Sequence, residues 1–183
     1  MLPVAWLRSS PVPALLLGGL ACGGPTVLPS CAPREPGTLS VVSTAHVNPD
    51  DQGRPLPTVV RVYQLAGLGE LEAASFDEIH AADEDVLGEA LLARDELTIY
   101  PQGLALRAFE RHAEASHVVG VGIFRRPSGL GWRSALPLPP PAADGRCAAR
   151  RHGAVEPQAP LVVRVRFRLE GSRIEGALGM EGP

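Results

Sequence analysis

Lysine is missing altogether: all seventeen basic residues of the Lys+Arg class are arginine. A compositional bias toward arginine accounts for this more readily than selection for bidentate contacts. There is no excess of positive charge, since the formal net charge is -3; this removes the electrostatic footprint of a nucleic-acid binder. Catalytic and metal-binding patterns are also missing. The three cysteines, Cys22, Cys31 and Cys147, form no close Cys-x-x-Cys pair, and His46, His80, His112, His117 and His152 are not spaced to give two ligands from one helix. Gly18-Gly19 and Gly129-Leu130-Gly131 make no phosphate-binding loop, and there is no nucleophilic-serine elbow. Carboxylates such as Asp77, Glu78, Glu110 and Glu114 offer material for a hydrolytic pair, but no spacing selects one.

The chain also lacks an apolar run long enough to span a bilayer. Its longest, from about Pro11 to Ala21 behind Arg8, has the length of a secretory signal peptide. It ends Leu15-Leu16-Leu17-Gly18-Gly19-Leu20-Ala21-Cys22, which resembles a bacterial lipobox with Gly19 in the place of the usual branched residue. This assigns 1–21 to a signal peptide and Cys22 to lipidation; plain secretion and a cytoplasmic chain with an apolar start are the competing readings. Gly23-Gly24-Pro25 carries no acidic retention signal after the cysteine, so the outer membrane is favoured over the inner. Pro25, Pro29, Pro33 and Pro36 give residues 22–38 the composition of a tether. The remainder, 39–183, is long enough for one domain with a core.

From Leu39 onward, short apolar runs alternate with Gly, Pro and Asp. The pattern predicts strands over Leu39–Ala45, Thr58–Leu65, Glu96–Tyr100, Leu104–Phe109, His117–Phe124, Leu161–Glu170 and Ser172–Leu178. In the penultimate strand Leu161, Val163, Val165, Phe167 and Leu169 share one face and Arg164, Arg166, Arg168 and Glu170 the other, with Gly171-Ser172 turning the chain into a final hairpin. Gly120 and Gly122 mark a bulge or the close approach of another layer. Between Leu71 and Leu92 the spacing becomes helical, and Ser75 with Glu78 forms a capping-box pattern. That insertion is acidic: Glu70 to Glu96 holds ten acids against Arg94 alone, whereas Arg107 to Arg173 holds twelve arginines against five acids. Two differently charged faces are expected on a mainly β sandwich or barrel with one or two short inserted helices.

One loop stands out. In Asn48-Pro49-Asp50-Asp51-Gln52-Gly53-Arg54-Pro55-Leu56-Pro57, opposite charges flank a glycine turn and two prolines stiffen the exit, which suits either an ordinary surface loop or a preorganised contact. Tyr63 and Gln64 belong either to the core or to a binding rim, and Arg61 suits a paired position on a sheet face. Trp132 either seals the end of a sandwich or anchors an interface, while Phe124-Arg125-Arg126 reads as a strand end emerging into solvent. The segment Asn48 to Leu65 resembles the TssJ family of type VI secretion outer-membrane lipoproteins. Phe76 in Ala74-Ser75-Phe76-Asp77, Leu97-Thr98-Ile99-Tyr100-Pro101 with Gly103, Val119 to Arg125 and Trp132-Arg133 follow in family order. The inserted Gln102, Gly122 and the Pro137 to Pro141 run depart from the family pattern.

The resemblance implies a two-sheet transthyretin-like sandwich under the outer membrane, without enzymatic activity and with no cofactor besides a covalent lipid on Cys22. It implies binding to the periplasmic C-terminal region of the inner-membrane subunit TssM through the first loop, where Asn48, Asp50, Asp51, Gly53, Arg54 and Pro55 are the candidate contacts. A different lipid-anchored module, such as a carrier or inhibitor with a pocket between its sheets, and a secreted hydrolase are the alternatives. In an oxidising compartment, lipid on Cys22 leaves Cys31 and Cys147 as the two thiols, which are expected to form one disulfide.

Overall fold

The computed structural model describes residues 35–140 and 162–181. Cys22, Cys31 and Cys147, the signal peptide, and all but the last four residues of the 22–38 segment lie outside them. Strands β1 (Glu35–Ser43) and β2 (Thr58–Leu65) are followed by helices α1 (Gly69–Ala73) and α2 (Phe76–Leu87) and a 3-10 turn, Gly88–Ala90. Then come β3 (Leu91–Ile99), β4 (Leu104–Arg111), β5 (His117–Ile123), β6 (Arg133–Pro137), β7 (Val162–Glu170) and β8 (Arg173–Glu181). They form two four-stranded sheets, ordered β4-β1-β7-β8 and β3-β2-β5-β6. Pairing is antiparallel except between β1 and β7. The expected two-sheet sandwich with a short helical insertion is therefore the observed fold.

Alternation along each strand builds the layer between the sheets. Leu39 and Val41 of β1 and Val163, Val165, Phe167 and Leu169 of β7 are buried, and Val60 and Val118 are buried on β2 and β5. The Phe167 ring needs the absence of side chains opposite it. A Cβ on Gly120 or on Gly176 would stand 2.8 Å from that ring, so both glycines are places where the two layers approach too closely for any other residue. The space in which a carrier would hold its ligand is thus filled by the protein's own side chains.

The other face of the β2 sheet carries the helices. Ser75 caps α2 through its hydroxyl and Glu78 returns the bond to the Ser75 amide, so the expected capping box is present. Ile79 and Leu87 bury the inner stripe of α2. Trp132 is buried under this layer with Phe76 edge-on at 5.6 Å, sealing the core. Tyr63 is a core residue, its hydroxyl donating to Asp83 Oδ2 at 2.7 Å. Arg94 Nε at 2.8 Å and Arg61 at 3.4 Å complete a polar cluster that pins α2 to the sheet. Burial pushes the Asp83 carboxyl up, but the Arg94 and Tyr63 hydrogen bonds and the two arginine charges outweigh it and hold it below the usual range. Burial and the Asp83 carboxylate hold the Tyr63 phenol far above its usual value.

Several strand limits differ from the sequence expectation. β1 starts at Glu35, because the Glu35 carboxylate pairs with Arg111 in the interior (2.8 Å; side chains 6% and 3% exposed) and carries Pro36 and Gly37 into the sheet. β3 starts at Leu91, since Arg94 and Glu96 point up to meet the polar cluster and interrupt the apolar pattern. β6 was not expected; at five residues, and only partly buried, it is too short to show a period.

Candidate functional site

The loop after β1 lies at one end of the sandwich, among three other connections. Ser43 N–H donates to the Gly103 carbonyl at 3.1 Å, and Asn48 N–H to the Gly171 carbonyl at 2.7 Å. Arg125 N–H donates to Asn48 Oδ1 at 2.8 Å, and Ile174 N–H to the Gly131 carbonyl at 2.8 Å. The β1–β2, β3–β4, β5–β6 and β7–β8 connections are thereby tied into one surface. At the opposite end are Glu35, where the chain arrives from Cys22, and the β4–β5 turn. The nine residues of β1 separate the two ends by about 30 Å.

Within the loop, the six candidate residues divide by orientation. Asn48 is buried in the left-handed backbone region (φ 48), which its short polar side chain tolerates, and its amide bridges the Arg125 amide and the Pro57 carbonyl. Asp50 folds inward (6% exposed): one carboxylate oxygen accepts from the amides of Gln52 (2.9 Å) and Arg54 (2.8 Å), the other from Arg54 Nε (2.7 Å). Although its partial burial acts to raise its pKa, these bonds hold the carboxyl below the usual range. The Gly53 amide donates to the Asp50 carbonyl at 3.0 Å, and Gly53 itself takes φ 76. What remains on the outside is Asp51 to Pro55, with Gly53 among them, and Pro57.

Asp51 reaches back across the end of the domain. One carboxylate oxygen accepts from Arg125 Nη2 at 2.8 Å and the other pairs with Arg126. These two arginines, a strand end emerging into solvent as far as the sequence shows, stand against the candidate loop; nothing in the chain connects Arg125 with an aspartate 74 positions earlier. The exposed side chains of Tyr100 and Leu130 belong to connections at the same end. Gln64, considered above as a rim residue, is instead an interior brace: its amide nitrogen donates to the Glu110 carbonyl at 3.0 Å and its oxygen accepts from the His112 amide at 2.7 Å, joining the sheets. Arg61 is paired, with Glu96 at 3.0 Å and with the Ile79 carbonyl at 2.9 Å.

Among the described residues there is no group of three His, Cys, Asp or Glu side chains placed to hold a metal ion, and no helix long and apolar enough to cross a membrane. The arrangement consists of a braced loop presenting mixed charge and a few apolar side chains at the end of a two-sheet sandwich.

Solved structures of this architecture include TssJ1 from Pseudomonas aeruginosa, a type VI secretion lipoprotein (14% identity, TM-score 0.62, covering 82% of this chain and 99% of that one). Serratia marcescens Lip, a membrane-bound component of the type VI secretion system, matches at 20% identity and TM-score 0.63 with the same coverage. A chain in the structure titled for the TssM C-terminal domain from EAEC matches at 20% identity and TM-score 0.54, covering 76% of this chain and 98% of that one. No curated protein sequence matches. The family model described as "Type VI secretion lipoprotein, VasD, EvfM, TssJ" matches residues 36–166, and the chain belongs to that family.

Proposed function

We propose that this protein is anchored by a lipid on Cys22 to the periplasmic face of the outer membrane and there binds the periplasmic C-terminal region of TssM, helping to assemble the type VI secretion envelope complex. It does so as a non-enzymatic adaptor. Residues 1–21 act as the signal peptide and 22–34 as the lipidated start and tether, leading into a binding domain whose first strand opens at Glu35 rather than at Leu39. Cys31 and Cys147 form a disulfide, which would contribute roughly 2–4 kcal/mol by restricting the unfolded chain.

The observation that carries this reading is the build of the Asn48 to Pro57 loop. Asn48 and Asp50 spend their side chains on bracing it, while Asp51, Gly53, Arg54 and Pro55 are held outward. A loop already fixed loses little entropy on docking. It also stands at the end of the domain opposite Glu35, the first described residue. Confinement at the membrane raises the local concentration of the loop for a partner spanning the periplasm.

The anchoring half is tested by Cys22→Ser. The variant is expected to remain unprocessed and to lose secretion activity, and mass spectrometry finding residues before Cys22 in the wild-type protein would contradict it. The binding half is tested by titrating the matching TssM periplasmic region, as described in the Discussion.

A further inference from the structure

Beside the braced loop lies a second feature that the first-loop reading does not use. The β5–β6 connection and the start of β8 enclose a cleft of about 430 Å³ lined by Ser128, Leu130, Gly131, Arg133, Arg173 and Ile174. Two guanidinium side chains line it and no carboxylate does. Arg173 has neither an ion pair nor a hydrogen bond among the described residues. The residue opposite it in the hairpin register is Glu170, which is engaged by Arg168 at 3.5 Å. Arg133 lies over the Trp132 ring at 5.0 Å and donates to the Leu71 carbonyl, so its stem and one nitrogen are fixed. Partial burial draws its pKa below the usual guanidinium value, against the opposing pull of Glu72. The aliphatic stem of Arg173 runs across Gly131, where a Cβ would stand 3.0 Å from Arg173 Cγ, so the glycine leaves room for that stem against the loop.

We infer that this cleft is a carboxylate-binding site, taking an acidic segment of a protein partner with Arg133 and Arg173 on its carboxylates and the exposed Leu130 against its aliphatic flank. Planar, forked donors of this kind suit carboxylates and phosphates alike, and carboxylates are the anions an unmodified protein segment presents. A protein carboxylate is the ligand this cleft favours, because the guanidinium groups stand beside the exposed apolar Leu130 and next to the loop proposed to contact a protein. The cleft is continuous with the first-loop surface through the Gly171 carbonyl, which accepts from Asn48 in the turn just before Arg173. In naming the chemistry of the partner's second contact, the inference rests on the TssM reading above.

Trp132 supplies a local signal, since it lies directly beneath Arg133 and the chain's other tryptophan is Trp6. In the full chain carrying Trp6→Phe, a hexaglutamate peptide is titrated while Trp132 emission is followed. A saturable change is expected, weakened at least tenfold by Arg173→Gln and less by Arg173→Lys, which keeps the charge but loses the fork. Arg173→Gln is also expected to weaken binding of the TssM periplasmic region at least tenfold. No saturable response to the peptide, or equal peptide affinity in Arg173→Gln, overturns the site; so does a response to phosphatidylglycerol vesicles with none to the peptide. Equal affinity of wild type and Arg173→Gln for the TssM region overturns its assignment to that partner. If the TssM region fails to bind even the wild type, the functional reading falls while the peptide titration still decides the cleft.

Discussion

The two ends of the sandwich use the same chemistry, arginine against carboxylate, in opposite surroundings. At the end where the chain enters, Arg111 and Glu35 meet at 2.8 Å with side chains 3% and 6% exposed, and Arg111 also donates to the carbonyls of Ala115 and Pro139. At the other end Asp51 bridges Arg125 and Arg126, whose side chains are 47%, 45% and 67% exposed. A buried pair that loses one partner leaves an uncompensated charge, whereas an exposed pair exchanges protein for water at little cost. One end therefore holds the fold, and the other is free to be used for recognition.

The sharpest way to break this contrast is to remove the buried partner. Arg111→Ala is expected to destabilise the domain by about 3–5 kcal/mol in denaturant unfolding, while a double replacement of Glu35 and Arg111 by apolar residues of similar volume regains most of the loss. A loss below about 1 kcal/mol in the single variant would erase the distinction between the ends.

The polar cluster under α2 is the next largest effect. Asp83→Asn leaves Arg61 and Arg94 facing an uncharged side chain and is expected to cost roughly 1–3 kcal/mol at neutral pH. The pH dependence has a definite sign. Because the folded-state pKa of Asp83 is lowered, its carboxylate adds stability above the ordinary value of 3.8, and that contribution is lost as the pH falls through the lower folded value. The gap between wild type and variant therefore narrows below pH 3.8. A gap that is constant with pH would show that the charge of Asp83 does not matter.

Asn48→Ala tests the junction between bracing and recognition. It leaves the part-buried Arg125 amide without the acceptor that the buried Asn48 supplies and is expected to cost about 1–3 kcal/mol, with a loss of partner affinity because the loop is no longer held. The smallest stability effect is expected for Asp51→Ala, about 0–1 kcal/mol, as for other exposed pairs.

The sequence made the sandwich and its helical insertion legible wherever periodicity was long or capping chemistry was local. The nine-residue alternation of β7 and the Ser75–Glu78 box are the clearest cases. It hid what depends on partners distant in the chain. The Glu35 end of β1 looked like tether because Pro36 and Gly37 mask a strand that Arg111 holds from 76 positions away. The candidate loop was legible as a segment, from its turn and proline chemistry, but not in its division of labour. The inward turn of Asp50 follows from a local Asx-type bond to Gln52 and Arg54, whereas the buried position of Asn48 is set by Arg125 and Gly171, which only the folded sheets bring near.

On the proposed function, the exposed charges of the loop end carry partner binding and little of the stability. This is tested most directly by titrating the matching TssM periplasmic region against the wild-type protein and against a charge reversal of Asp51 and Arg54 together, with unfolding followed on the same samples. The expected result is at least a tenfold loss of affinity with stability changed by less than about 1 kcal/mol, as exposed charges allow. Unchanged affinity in a folded double variant would contradict it.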